Sequence, residues 1–257
     1  MSQDLSGRVA VVTGGAGGQS GLGLTAAEGL LRAGAKVAVW DNDASAIERA
    51  DADLRGQGYE AAFRLVDVTD IEQVKHAYEI VKREYGPADI LLNNAALKME
   101  YVLGPKEERP NDGIVPFWEL DLAKFRKLWE VDVIGPLLTA TCMAPEMVER
   151  GRGSIINVVT SQHTERSPRH IPYGPSKAML ETMTQAMAAQ LQALAPQAKV
   201  RANAILPGGS ANRRGQHDPT RPPYDCMVPV ILWLASDASS DVTGQVFAGN
   251  DFQVPAN

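Results

Sequence analysis

Three side chains in the second half of the chain, Ser161, Tyr173 and Lys177, have the types and spacing for moving a proton. Tyr173-Gly174-Pro175-Ser176-Lys177 opens a long helical pattern, and residues four apart on a helix share a face. A phenol ordinarily holds its proton to about pH 10, and bringing it to neutrality takes about 4 kcal/mol of preferential stabilisation of the phenolate. An ammonium at Lys177 is the group in this motif that can supply it. Tyr173 could then exchange a proton with an alcohol or carbonyl oxygen, while the Ser161 hydroxyl polarises and orients that oxygen.

A second motif reads Thr13-Gly14-Gly15-Ala16-Gly17-Gly18-Gln19-Ser20-Gly21-Leu22-Gly23, between an apolar run and a helical pattern. Glycines let the backbone turn sharply and approach a phosphate, and the N–H groups at a helix start receive the anion. Asp41 ends the next apolar run, eighteen residues past Gly23, near the separation expected of a carboxylate that accepts ribose hydroxyls. That carboxylate would repel a 2′-phosphate, and no Lys or Arg lies between Thr13 and Leu31 to receive one, so NAD is favoured over NADP. A competing role for Asp41 is to cap the helix that starts at Ala44.

These residues need a scaffold, and the hydrophobic pattern supplies one. Short β-branched runs at Val9–Thr13, Lys36–Trp40, Ala61–Val66, Asp89–Leu92, Ser154–Val159, Val200–Ile205 and Gln245–Ala248 alternate with helical patterns. The helices are expected near Leu24–Arg32, Ala44–Arg55, Ile71–Tyr85, Leu122–Arg150, Tyr173–Leu194 and Tyr224–Leu234. Such alternation predicts an α/β fold: one Rossmann-like, doubly wound parallel sheet of about seven strands with helices on both faces, in one domain. Stretches 97–116 and 208–223 break the rhythm after strand ends, where open parallel sheets bind ligands, and are expected to wall the substrate site.

Composition narrows the function classes. The 257 residues are 44% hydrophobic and 22% charged with a net charge of −6, which suits a chain with a large core and a small-molecule partner rather than nucleic acid or an anionic membrane. Cys142 and Cys226 have no metal or redox spacing, and no targeting signal or membrane-spanning segment is evident, so a cytoplasmic location is expected. No chelating pattern involves His163 or His170, so no metal is expected.

Taken together, the motifs resemble those of the short-chain dehydrogenase/reductase family over nearly the whole length. The resemblance is carried by Thr13-Gly14 with Gly21-Leu22-Gly23, Asp67-Val68, Asn93-Asn94-Ala95, Ser161, Tyr173 with Lys177, and Pro207-Gly208. It implies an NAD-dependent oxidoreductase interconverting a secondary alcohol and a ketone. Asp67 and Val68 would contact adenine, Asn94, Ala95 and Ala96 would flank the cofactor, and Lys177 would also hold the nicotinamide ribose. Pro207 and Gly208 would lie against the nicotinamide amide, with Ser210 and Asn212 nearby. Family members commonly pair the helices equivalent to Leu122–Arg150 and Tyr173–Leu194, so a homodimer or homotetramer is implied.

The chain departs from the family pattern in four places. Its glycine loop is longer than usual, with Gly15 to Ser20 between the opening Thr13-Gly14 and Gly21-Leu22-Gly23. Asp132 stands where the family usually has an asparagine that supports a water and proton relay reaching the lysine: ionised beside Lys177 it would make Tyr173 less acidic, or it could hold a relay water itself, and the competing reading is a local pairing with backbone or a lysine at the bend before Pro136. Ala96 replaces a glycine, and Asn212 stands where a threonine often binds the nicotinamide amide. The end of the chain, Phe247-Ala248-Gly249-Asn250-Asp251, lacks the common acid followed by two glycines and is expected at a subunit contact or over a neighbouring site.

Substrate preference rests on the two irregular stretches. The first carries Met99, Tyr101, Leu103, Ile114, Val115, Phe117 and Trp118, a candidate apolar wall. The second carries Arg213, Arg214, His217 and Arg221, which suit either an acidic substrate or a solvated surface. A moderate-sized alcohol or ketone with an alicyclic or acyl body is the expectation. Two other functions remain open: an NAD-binding sensor or scaffold that has lost turnover, and a redox-assisted epimerase or dehydratase on the same fold.

Overall fold

The computed structural model describes residues 3–17, 21–160, 171–207, 223, 225–250 and 252–255. Seven strands form one parallel sheet: β1 (Val9–Thr13), β2 (Lys36–Asp41), β3 (Ala62–Leu65), β4 (Ile90–Asn93), β5 (Arg152–Val158), β6 (Lys199–Leu206) and β7 (Val246–Ala248). Their order is β3-β2-β1-β4-β5-β6-β7, with every pair parallel. The β1 strand is buried throughout, and its apolar VAVV run leaves both faces free to take helices.

Helices cover both faces. On one lie α1 (Leu22–Arg32), α2 (Ala44–Gly56) and α9 (Val228–Ala235), packed through Leu24, Leu30, Ala50, Leu54 and Ile231. On the other lie α3 (Ile71–Tyr85), α7 (Gly135–Glu149) and α8 (Tyr173–Leu194), packed through Val74, Val81, Met143, Met147 and Ala188. The doubly wound arrangement expected from the sequence is therefore the fold. The winding reverses between β1 and β4, so the loops after these two strands diverge and open a crevice at the C-terminal edge of the sheet.

Two expected elements differ. The Leu122–Arg150 helix is interrupted: α6 (Leu122–Trp129) passes through a π-helical turn, Glu130–Ile134, into α7. The Gly135 N–H reaches back five residues to the Glu130 carbonyl, and Pro136, which has no N–H to donate, follows at once. The expected Tyr224 helix begins only at Val228, after a turn. Stretch 97–116 is also less irregular than expected, holding two short helices, α4 (Met99–Leu103) and α5 (Pro110–Gly113).

The expectation that no segment has the length and apolarity of a membrane span needs correcting. Leu122–Glu149 reaches a mean hydropathy of 1.3 over its most apolar window. Half of that window is buried inside the protein, as befits a helix packed on a sheet.

Candidate active site

The crevice is a cleft of about 320 Å³ that gathers residues from distant parts of the chain. At one end are the glycine loop and the start of α1. Gly21 caps that helix with φ 67°, a left-handed conformation that favours glycine, and among the described residues no side chain caps the exposed N–H groups. The first turn carries no acidic residue, so the helix start offers unopposed donors to an anion.

At Gly14 and Gly23 the packing leaves no room for a side chain. A Cβ on Gly14 would lie 2.6 Å from the Ala95 Cα, and one on Gly23 would lie 2.5 Å from both Asn94 Nδ2 and the Gly14 carbonyl oxygen. Asn94 staples this arrangement, its Nδ2 donating to the carbonyls of Gly14 (2.7 Å) and Thr13 (3.2 Å). The Thr13 hydroxyl accepts from the Asn94 and Ala95 amides, each at 3.2 Å. Asn94 thus holds the loop as well as lining the cleft beside Ala95 and Ala96.

Asp41 does not cap α2. That role falls to Asp43, whose carboxylate accepts from the Ala46 amide at 3.0 Å. Asp41 instead faces the cleft, and its Oδ2 accepts from the amides of Ala16 and Gly17, both at 3.1 Å. A carboxylate oxygen has lone pairs beyond those bonds, so Asp41 can tie down the extended loop and still accept hydroxyls. Asn42 and Asp43 also line this end. Their place directly after Asp41 was the signal that sequence reading passed over.

Opposite lies an apolar slot formed by Val66, Val68 and Val131, with Asp67 at its edge. Asp67 is held by the Thr69 amide (2.9 Å) and hydroxyl (2.7 Å), and Lys127 Nζ stands 3.4 Å from its second oxygen. Burial works to raise its pKa, but the Thr69 bonds and Lys127 outweigh it and hold the carboxyl below its usual range. Gly135 lets α7 approach this slot, since a Cβ there would meet Val68 Cγ2 at 2.8 Å. The donors at the α1 start, the glycine cradle, the acceptor Asp41 and the valine slot have the chemistry that a dinucleotide requires.

At the far end Tyr173, Lys177 and Pro207 complete the lining. Tyr173 is the first residue of α8 and Lys177 follows one turn later, its side chain 2% exposed and its Nζ 5.6 Å from the Tyr173 ring centre. Beneath them a buried chain of hydrogen bonds ties the helices to the sheet. The Thr139 hydroxyl donates to Asn93 Oδ1 (2.8 Å), Asn93 Nδ2 to Asn157 Oδ1 (2.9 Å) and Asn157 Nδ2 to the Thr184 hydroxyl (2.8 Å). These four side chains partner one another, so α7, β4, β5 and α8 are fixed relative to one another and Tyr173 and Lys177 inherit that rigidity.

Asp132 sits behind this pair, fully buried on the π-helical turn. Its Oδ1 accepts from the Leu97 amide at 2.8 Å, its Oδ2 from the Ser176 hydroxyl at 3.1 Å, and Lys177 Nζ stands 3.7 Å from Oδ2. Of the two readings open from the sequence, proximity to Lys177 is the observed one; the backbone partner is Leu97, far away in sequence. The acidified phenol expected at Tyr173 is not what this environment produces. Burial, and then the Asp132 carboxylate, push the Tyr173 hydroxyl above its ordinary pKa, so Lys177 does not dominate its surroundings.

Leu97 and Lys98, at the start of the 97–116 stretch, line the cleft, whereas Met99, Tyr101, Leu103, Ile114, Val115, Phe117 and Trp118, expected as its apolar wall, do not. Phe117 and Trp118 are 63% and 73% exposed and stacked edge to face on each other. Ser20, Ser161, Gly208, Ser210 and Asn212, like the loop cations Arg213, Arg214, His217 and Arg221, lie outside the described residues. No cluster of three metal-ligating side chains occurs among the described residues.

Comparison with known proteins gives one consistent family. The model for short chain dehydrogenases matches residues 8–218. A 2,5-dichloro-2,5-cyclohexadiene-1,4-diol dehydrogenase of Sphingobium indicum is 30% identical, covering 96% of this chain and 97% of its own. An NAD⁺-bound xylitol dehydrogenase structure superposes with a TM-score of 0.78 at 25% identity, over 95% of this chain and 97% of that one. A gluconate 5-dehydrogenase from Burkholderia cenocepacia, solved with NADP and tartrate, gives 0.77 at 25% identity, over 96% and 95%.

Proposed function

Because the chain belongs to the short chain dehydrogenase family and is an oxidoreductase, we propose that it interconverts a secondary alcohol and a ketone with NAD, using Tyr173 as acid and base. The observation that carries the proposal is the single cleft that joins the α1 N-terminus and Asp41 at one end to Tyr173 and Lys177 at the other. Nicotinamide, when bound, supplies the hydride acceptor or donor.

The chain's own residues do the rest. The amides at the start of α1 bind the pyrophosphate, Asp41 accepts the ribose hydroxyls, and Asp67 and Val68 recognise adenine. Lys177 binds the second ribose and places positive charge beside Tyr173. Tyr173 takes the hydroxyl proton in oxidation and returns it in reduction, while Ser161 orients the substrate oxygen. Asp41 is the basis for NAD over NADP: its carboxylate and the absence of a Lys or Arg from Thr13 to Leu31 disfavour a 2′-phosphate. Relatives acting on a cyclohexadiene diol and on cis-4-hydroxycyclohexanecarboxylate support an alicyclic alcohol as substrate.

In this reading residues 1–257 make one domain, stretches 97–116 and 208–223 wall the substrate site, and the setting is cytoplasmic, in keeping with two cysteines that form no disulfide. The partner of the α7 and α8 face is a second copy of the chain. Leu137, Ala140, Ala144, Met187 and Leu191 line an open apolar groove there, Leu194 is 83% exposed beside it, and small residues let helices approach closely.

Turnover of a panel of secondary alcohols and ketones with each nicotinamide cofactor tests the proposal, and NAD-linked conversion is expected. One observation favours a second reading: the buried Asp132 carboxylate 3.7 Å from Lys177 offsets the lysine's charge and, with burial, works against ionisation of Tyr173, which suits a nucleotide-binding protein with little turnover. Tight NAD binding without conversion of any panel member would establish that reading instead.

A further inference from the structure

Asp132 occupies a dead end. It is fully buried and does not line the cleft, whereas Lys177, which does, stands 3.7 Å from its Oδ2. Every other contact described for the carboxylate is a donor that holds it still: the Leu97 amide on Oδ1 and the Ser176 hydroxyl on Oδ2. Ser176 is itself fully buried and carries a single proton between two acceptors, Asp132 Oδ2 at 3.1 Å and the Tyr173 carbonyl at 2.8 Å. A hydroxyl so placed can donate to an ionised Asp132, or accept from a protonated one and turn its own proton to the Tyr173 carbonyl.

We propose that Asp132 is an internal proton store for the site, exchanging a proton with Lys177 and read by Ser176. The inference rests on the alcohol and ketone reading given above. In oxidation an N–H bond of Lys177 breaks and an O–H bond forms on Asp132 Oδ2. The neutral amine left behind takes up the proton arriving from the Tyr173 side. Between turnovers Lys177 releases that proton into the cleft and takes back the one held on Asp132, so the store is emptied before the next alcohol binds. No electrons move in this exchange, and reduction runs it backwards.

The surroundings support a carboxyl that changes state. Burial pushes the Asp132 pKa above the ordinary carboxylate range, with Lys177, the Leu97 amide and Ser176 pulling the other way. Among the described residues Lys177 is the charged group that bears on it, and Tyr173 is the other titratable neighbour, both on α8. Asp132 and Lys177 act through Tyr173, so Asp132 is a positioning and proton-holding residue rather than one that meets substrate.

The test is infrared spectroscopy of the whole protein across pH, which needs no substrate. A protonated buried carboxyl gives a C=O band that disappears on ionisation. The band is expected in the wild type with a midpoint above the ordinary carboxylate range, absent in Asp132→Asn, and moved to higher pH in Ser176→Ala, which loses a donor to the ionised form. Absence of the band in the wild type, or its persistence in Asp132→Asn, overturns the proposal. If Asp132→Asn does not fold, the Ser176→Ala shift decides, and an unmoved midpoint counts against it. With an alcohol that turns over, oxidation should slow about tenfold per pH unit below the same midpoint, where the store is already full. Asp132→Asn should lose that limb; retention of it would refute the exchange even if the band is present. Should no alcohol react, the oxidoreductase reading fails separately, and the infrared result still decides whether Asp132 stores a proton.

Discussion

Replacing Gly23 by alanine tests how the glycine loop is built. The new Cβ would lie 2.5 Å from Asn94 Nδ2 and from the Gly14 carbonyl oxygen, and 2.8 Å from Gly15 Cα. Two of these are backbone atoms, so the loop rather than a flexible side chain has to move. Overpacking of this kind costs about 1–3 kcal/mol. Displacing Asn94 sacrifices its two hydrogen bonds to the loop, about 1 kcal/mol each. Against this, alanine inside α1 gains about 1 kcal/mol in helix propensity over glycine. The net loss is about 2–4 kcal/mol, and at about 2–4 °C per kcal/mol for a chain of this size, Tm should fall by roughly 5–15 °C. Thermal unfolding with and without NAD reads both consequences, since a displaced loop also weakens the rise in Tm on adding NAD. Gly56→Ala is the control: nothing lies within 4 Å of its added Cβ, and Tm should hold or rise slightly. A Gly23→Ala protein with wild-type Tm and undiminished NAD stabilisation would refute the packing argument.

Two further outcomes follow from the same geometry. Asp41→Asn keeps an oxygen for the Ala16 and Gly17 amides but removes the charge, so the NAD to NADP affinity ratio should fall about ten- to hundredfold by calorimetry, and an unchanged ratio would remove Asp41 from cofactor selection. Leu137→Arg places a charge in the groove on α7 and α8; light scattering should report a smaller assembly than the wild type, and an unaltered mass would place the subunit contact elsewhere.

The fold was legible because the sheet is buried on both faces, so β1, β2 and β4 announce themselves as unbroken apolar runs. Bounds failed where hydrogen bonding rather than hydrophobicity sets them. The π-helical turn at Glu130–Ile134 leaves the apolar pattern intact and changes only which carbonyl receives the Gly135 N–H. In the site, Asp41, Asp67, Asn94, Tyr173 and Lys177 come together at the strand ends as their spacing requires. The chain of Thr139, Asn93, Asn157 and Thr184 was invisible beforehand, because four polar residues separated by tens of positions carry no local signal. The same holds for the field at Tyr173. Sequence places Lys177 one turn away, but burial and the side on which Asp132 lies decide the direction of the shift, and both are tertiary facts.

Removal of one oxygen atom tests the central claim most directly. Tyr173→Phe keeps the ring in the cleft and deletes the group assigned to carry the proton. Measured by the absorbance of reduced nicotinamide on an alcohol or ketone that the wild type converts with NAD, turnover should drop about a hundred- to ten-thousandfold while NAD binding is retained. Wild-type turnover by Tyr173→Phe would contradict the account.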